Sequence, residues 1–322
     1  NKTTYIKREL DTKEVKFLLD KIYKAGCLWL CFTGGDPLTR ADFLDIYSYA
    51  RNKGFIITIF TNGFSMTKHI AAYLQEKSPF ALEITLNAVT KDLYETISGV
   101  KGSFDKVMRG IDFIFKAGLP LKIKTQVTKD NLKELPQIRR FIKGLGLRFR
   151  PDASLHAQLD RDSAPCNLRI SPEEALILNG RKSLLDNGCL TKTDSRPPQI
   201  VGGRPPKYCG GRTPTTDLFH CAIGAGDGIN IDPYGNIIPC TCIRKPRLSL
   251  LKEDIEEAKK KILNWTRARN FTNNSKCQNC LIRNSCYNCP GKAWLEKNNI
   301  EAKVDWFCEL AHLIADRRSQ KF

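Results

Sequence analysis

Apolar residues first recur at helical spacing: Val15, Leu18, Leu19 and Ile22 share one side of a helix that Asp11-Thr12-Lys13-Glu14 opens as a capping box and Gly26 stops. The pattern then changes to a short apolar strand over 28–32, a loop at 34–39, a helix over 41–52 ending at Gly54, and a β-branched strand over 55–60. Further strands over 81–86, 121–127 and 147–150 alternate with helices over 68–76, 104–115 and 132–143, with Gly118 and Gly146 as stop signals. This alternation predicts an α/β fold, a parallel sheet with helices outside it, either a barrel or an open doubly wound sheet. The readable pattern opens on a helix although a strand–helix repeat opens on a strand, so a first strand and its loop are expected upstream of Asn1.

Residues 151–220 break the alternation. Pro197-Pro198, Gly202-Gly203, Pro205-Pro206 and Gly210-Gly211 crowd together after one helix over 172–187, which predicts a linker or a segment covering an active site. Residues 221–322 hold a hairpin turn at Asp232-Pro233-Tyr234-Gly235-Asn236, a basic helix over 252–269 and a terminal helix over 306–318.

With 41% hydrophobic and 27% charged residues, the 322-residue chain has the composition of a globular protein with room for a large domain and a smaller one. No apolar run approaches the roughly 20 residues that span a bilayer. The opening Asn1-Lys2-Thr3-Thr4 has no apolar export region either, so neither a membrane segment nor export is expected. A net charge of +18 admits a polyanionic partner. Yet the basic residues of the predicted helices (Lys13, Lys16, Lys21, Lys24; Lys252, Lys259, Lys260, Lys261) are interspersed with Asp and Glu, the pattern of a solvated face. Nucleic acid is therefore disfavoured as a partner.

Cysteine usage changes the picture. Of 13 cysteines only Cys27 and Cys31 precede residue 160, whereas eight fall between Cys221 and Cys308 in short-spaced groups. In a chain without an export signal such spacing points to metal coordination by thiolates rather than to disulfides. Cys277, Cys280, Cys286 and Cys289 place four soft ligands within thirteen residues, with Cys308 beyond them. Upstream, a hairpin at 232–236 would bring Cys221 and Cys240 close together. Seven thiolates fit a four-ligand site plus a three-ligand site, filled by zinc or by iron–sulfur clusters. Cys27, Cys31, Cys166 and Cys189 read as buried small hydrophobes or incidental thiols.

The pattern Cys-x13-Gly-x4-Cys, then Cys-x2-Cys-x5-Cys-x2-Cys, then a distant Cys resembles the SPASM domain of radical S-adenosylmethionine enzymes, with x2 in place of the usual x3 before the fourth clustered cysteine. The N-terminal half is similar to the same superfamily through Thr33-Gly34-Gly35-Asp36-Pro37-Leu38, Phe60-Thr61-Asn62-Gly63, and Thr85-Leu86-Asn87 followed by Tyr94-Glu95-Thr96-Ile97-Ser98-Gly99. The resemblance covers nearly the whole chain. It implies a partial (β/α)6 barrel of the TIM type over 1–150, a bridging segment over 151–220 and a small cysteine-rich α+β SPASM domain over 221–322.

The resemblance further implies that Gly34, Gly35, Asp36 and Pro37 bind the methionine end of S-adenosylmethionine, with Asp36 accepting from its ammonium group. Paired glycines at the C-terminal end of a strand suit that task. The plain alternative is a tight turn with Asp36 as its cap. Asn62 and Asn87 sit at strand ends on the same rim, and Lys124, Gln126 and Asn131 are further contacts by the family's pattern. One auxiliary 4Fe–4S cluster falls to Cys277, Cys280, Cys286 and Cys308, the other to Cys221, Cys240 and Cys289. For the latter's fourth position Asp227, Cys242 and an open iron all stand. The family's Cys-x3-Cys-x2-Cys run, which would hold a third 4Fe–4S cluster, is absent from 1–322 and is expected just before Asn1. Without it the chain is not expected to cleave S-adenosylmethionine.

The activity so implied is that of an oxidoreductase generating a 5′-deoxyadenosyl radical to modify a peptide or protein, in the manner of enzymes that mature ribosomally made peptides. Its reductant would be a flavodoxin or ferredoxin and its home an anaerobic cytoplasm. Two other readings stand beside it: a non-catalytic iron–sulfur redox or binding relative, and a nucleic-acid-binding protein with zinc ribbons. No residue is singled out as a proton donor or acceptor.

Overall fold

Side-chain alternation along the N-terminal strands decides which side of their sheet is covered. The computed structural model describes residues 9–178, 218–219, 221, 224, 226, 228–272, 275–283, 286 and 288–319. The chain divides into two compact units, Asn1–Ser154 and Leu155–Phe322. In the first, β1 (Trp29–Phe32), β2 (Ile56–Thr61), β3 (Ala81–Thr85), β4 (Leu121–Gln126) and β5 (Phe149–Asp152) form a parallel sheet in chain order. Ile57, Ile59, Leu82, Ile84, Leu121 and Ile123 share one face and are at most 6% exposed. Full burial of each such side chain is worth about 1.5–3 kcal/mol.

The buried face is covered by helices between the strands: α1 (Thr12–Lys24), α2 (Phe43–Asn52), α3 (Lys68–Glu76), α4 (Lys91–Ser98), α5 (Ser103–Lys116) and α6 (Leu135–Gly144). The capping box of α1 forms as read, with Glu14 N–H donating to Asp11 at 2.8 Å and Asp11 N–H to Glu14 at 2.9 Å. The helix expected over 132–143 starts as a 3-10 turn at Leu132–Glu134, and Pro136 enters at the start of α6. The last strand lies two residues later than expected, because Leu147 and Arg148 are spent leaving α6. At eight residues α4 is too short for its periodicity to register.

The second unit holds α7 (Pro172–Leu178), a small antiparallel sheet of β6 (Asn230–Ile231), β7 (Asn236–Ile238) and β8 (Leu248–Ser249), then α8 (Ile255–Arg267), α9 (Pro290–Lys297) and α10 (Asp305–Ser319). The expected hairpin at 232–236 is the β6–β7 turn, in which Asp232 accepts from the amides of Tyr234 and Asn236. Of the helix expected over 172–187, residues beyond 178 lie outside the described residues, as do the Pro/Gly-rich stretch, Cys189 and Asp227. Ala293, Val304 and Phe307 form one small core, and Leu218, Phe219 and Ile243 another. Arg169 and Glu296, each 8% exposed in the side chain, make a two-pronged ion pair, and Trp306 donates to the Ile170 carbonyl at 2.8 Å. No described helix is long and apolar enough to cross a membrane.

Candidate functional site

One carboxylate organises the rim where β1 and β2 end. Asp36 caps the 3-10 turn Pro37–Thr39 by accepting from the Leu38 amide at 3.0 Å; it also accepts from the Thr61 hydroxyl at 2.8 Å and the Asn62 amide at 2.7 Å. The capping reading is thus realised, and Asp36 is only 8% exposed. The Thr61 hydroxyl stands within reach of both carboxylate oxygens, so the three donors leave Asp36 at most one further acceptor position. Beside it Gly34 holds φ at +139°, where an L side chain is strained, and a Cβ on Gly34 or Gly35 would meet nothing within 4 Å. The pair therefore presents bare backbone to open space.

Asn62 spends its side-chain carbonyl on the Phe64 amide at 2.8 Å and Asn87 on the Gln126 amide at 2.9 Å. Among the described residues neither side-chain NH2 has a partner, so both remain donors for a ligand's oxygen or ring nitrogen. Asn131 corrects the expectation of a ligand contact. It is fully buried, donates to the carbonyls of Asn87 and Gln126 and accepts from the Thr128 amide, so it braces the rim instead. Gln126 likewise spends its side-chain NH2 on the Asp152 carbonyl at 2.8 Å.

The inner face of the sheet was not foreseen. Glu83, in the middle of β3, is 2% exposed, and its Oε1 has no hydrogen-bond partner among the described residues. Lys122 Nζ stands 3.9 Å and Arg150 3.6 Å away, and Lys124 covers the Phe60 ring at 4.2 Å. Strand register puts these side chains on the face opposite the helices. A charged residue inside the apolar run Ala81-Leu82-Glu83-Ile84 was the available signal. Cys31, on the same face of the edge strand, is exposed rather than buried, while Cys27 and Cys166 are half-buried.

In the second unit the thiols fall into two groups. Burial raises the Cys277 thiol, and the neighbouring Cys308 and Cys280 raise it further; burial pushes Cys286 up to about 11, with Cys308, Cys277 and Cys280 again adding. Those four thiols therefore lie near enough to feel one another's charge. The second group is Cys240, Cys242 and Cys289. Cys240 donating to Cys242 holds the Cys242 thiol well below the ordinary range, with His156 as a further cause, while Cys240 itself is driven up. Cys289 is raised chiefly by burial, with Cys242 contributing. Cys221 is exposed, and no interaction among the described residues links it to Cys240.

Backbone amides point at three of these sulfurs: Ile243 N–H at Cys240 (3.2 Å), Asn288 at Cys286 (3.4 Å) and Lys292 at Cys289 (3.4 Å). Hydrogen bonds of this kind stabilise thiolates and tune iron–sulfur centres. Among the described residues no three His, Cys, Asp or Glu side chains lie close enough to hold a single metal ion. His156 and Cys242 escaped the sequence reading of ligands for different reasons. His156 falls in the presumed linker, and Cys242 stood only as one of three alternatives.

Comparison with known proteins separates the two units. Residues 2–142 match the family described as the Radical SAM superfamily. An AdoMet-dependent heme synthase of Oleidesulfovibrio alaskensis is 35% identical over 138 residues, 43% of this chain and 36% of that protein. A PqqA peptide cyclase of Ruegeria pomeroyi is 26% identical over 239 residues, 72% of this chain and 60% of the relative. The chain thus matches little more than a third of the length of the first of these relatives. Among solved structures, anSMEcpe with bound AdoMet superposes with a TM-score of 0.65 at 15% identity, over 96% of this chain and 89% of that one. Streptococcus suis SuiB bound to its precursor peptide SuiA gives 0.68 at 15% identity, over 93% and 69%. These likenesses show the fold, a partial radical SAM barrel. The glycine loop at the strand ends and the parallel sheet up to β4 thus lie within the stretch, residues 2–142, that matches the Radical SAM superfamily.

Proposed function

We propose that the protein is a radical SAM oxidoreductase whose second unit is a SPASM domain holding two auxiliary 4Fe–4S clusters, and that it modifies a peptide or protein in the cytoplasm. S-adenosylmethionine, when bound and reductively cleaved, supplies a 5′-deoxyadenosyl radical able to abstract hydrogen from an unactivated carbon. The chain's own part is to receive and orient that cofactor. Gly34 and Gly35 let the backbone approach it, Asp36 keeps one acceptor position for an ammonium group while bracing the turn, and Asn62 and Asn87 offer amide donors from the next two strand ends. Cys277, Cys280, Cys286 and Cys308 would hold one cluster. Cys240 and Cys289, with Cys221 by the family's pattern, would hold the other. Electrons leaving an oxidised substrate need such a route.

The observation that carries this reading is the pair of thiol groups in the second unit of a chain whose first unit matches the Radical SAM superfamily. The peptide cyclase supports a peptide substrate, since its match extends over 72% of the chain, whereas that of the heme synthase stops at 43%. Purification without air and reconstitution with iron and sulfide should give about eight irons and eight sulfides per chain. Stoichiometric zinc without sulfide refutes the proposal. For the substrate, deuterium moving from a labelled peptide into 5′-deoxyadenosine, measured with the full-length protein, supports the reading; its absence with every peptide encoded beside the gene counts against it.

A further inference from the structure

The unsettled point in the second thiol group is what occupies its fourth position, and the geometry around Gly291 bears on it. Cys289 is the N-cap of α9, with its sulfur accepting from the Lys292 amide at 3.4 Å. Two residues on, a Cβ at Gly291 would lie 2.8 Å from Cys242 Cβ, and 3.6 and 3.7 Å from the sulfurs of Cys240 and Cys242. Only a residue without a side chain lets the first turn of α9 approach the Cys240–Cys242 segment this closely. Both sulfurs are thereby held at one place beside the first turn of α9.

His156 holds the Cys242 sulfur from another side. Its Nδ1 lies 2.8 Å from the Ala157 carbonyl, which can only accept, so this nitrogen carries the hydrogen and the ring is fixed. Nε2 then faces the Cys242 sulfur at 3.9 Å. Among the described residues Cys31 lies exposed on β1 and Cys166 beside the turn at 164–168, and neither is recorded against Gly291 or His156.

We propose that Cys242 is the fourth protein ligand of the auxiliary cluster that Cys221, Cys240 and Cys289 hold. The inference rests on the iron–sulfur reading above. It makes that cluster coordinatively complete, so it passes electrons and offers no open iron to a substrate. A neutral Cys-to-Ala change at 242 would leave one iron without a protein ligand. Such an iron is lost on mild oxidation, whereas a serine oxygen can retain it.

The test is made on the full chain, reconstituted without air. After mild oxidation Cys242→Ser should hold as much iron as wild type, and Cys242→Ala about one iron less, with a three-iron electron paramagnetic resonance signal beyond any that wild type shows. Cys166→Ala should behave as wild type. Cys242→Ala that keeps all its iron and the wild-type spectrum overturns the assignment. A wild-type chain that binds zinc and no sulfide fails at the earlier step, and the two failures are thus distinct. Should Cys242→Ala not fold, alkylation of the native chain decides. Cys242 should resist iodoacetamide at least tenfold better than Cys31 while the cluster is in place, and lose that protection after chelation. Equal labelling of the two in the loaded chain overturns the proposal.

Discussion

Gly110→Ala tests how the rim is built. Gly110 lies inside α5, where a Cβ would stand 2.4 Å from the Gly63 carbonyl oxygen and 3.1 Å from Met66 Cβ. Carbon and oxygen relax to about 3.4 Å, so helix and turn must separate by about 1 Å. Overpacking of this kind costs about 1–3 kcal/mol. Against it stands the gain of about 1 kcal/mol that Ala has over Gly in a helix interior. The net expectation is a loss of about 0–2 kcal/mol, read in the urea midpoint, where an unhindered helix site would gain about 1 kcal/mol. Gly144→Ala is the control, because a Cβ there meets nothing within 4 Å and only the helix gain, at most about 1 kcal/mol, remains. Gly63 itself holds φ at +79° next to Asn62, so the displaced turn should also weaken S-adenosylmethionine binding in calorimetry. A Gly110→Ala protein that shows the full gain of a Gly-to-Ala change in a helix interior, about 1 kcal/mol over wild type, refutes the close packing of α5 on this turn.

Asp36→Ala removes the acceptor for Leu38, Thr61 and Asn62 together and should cost about 2–3 kcal/mol in urea unfolding, while Asp36→Asn should recover part of it. Breaking the buried pair by Arg169→Met or Glu296→Leu alone should cost about 3–5 kcal/mol, and the double change far less, because the single changes strand a buried charge; equal losses in all three would refute that account. The Arg40 guanidinium holds the Asp42 carboxyl below its ordinary 3.8, with Thr12 as a further donor. Its contribution is therefore present above that value and lost as pH falls through the lower folded one. Asp42→Asn should be less stable than wild type at pH 7, with the gap closing below about pH 4; a gap unchanged at pH 2.5 contradicts this.

Much of the first unit was legible because its three middle strands bury one face completely. Ile57, Ile59, Leu82 and Ile84 leave a period of two that survives in sequence, and the Asp11–Glu14 box marks its helix without tertiary help. What could not be read came from side chains with two possible uses. Asp36 suits both a cap and a ligand contact, and only the positions of Thr61 and Asn62 reveal how many of its lone pairs are spent. Asn131 looked available because burial has no signature in a single polar residue. In the second unit the thiol spacing was plain, but regular structure is scarce there, so nothing local announced that Gly291 packs on Cys242. Nor did anything in the sequence mark His156 as facing the same sulfur.

The chain-order sheet has an evolutionary consequence. Since neighbours in space are also neighbours in sequence, each wall of the rim is contributed by one contiguous stretch between a strand and its following helix. Insertions or replacements in one stretch can reshape that wall while leaving the ladder bonds of every other strand untouched. The fold thereby permits new pocket shapes to be sampled one loop at a time, with the brace at Asp36 preserved.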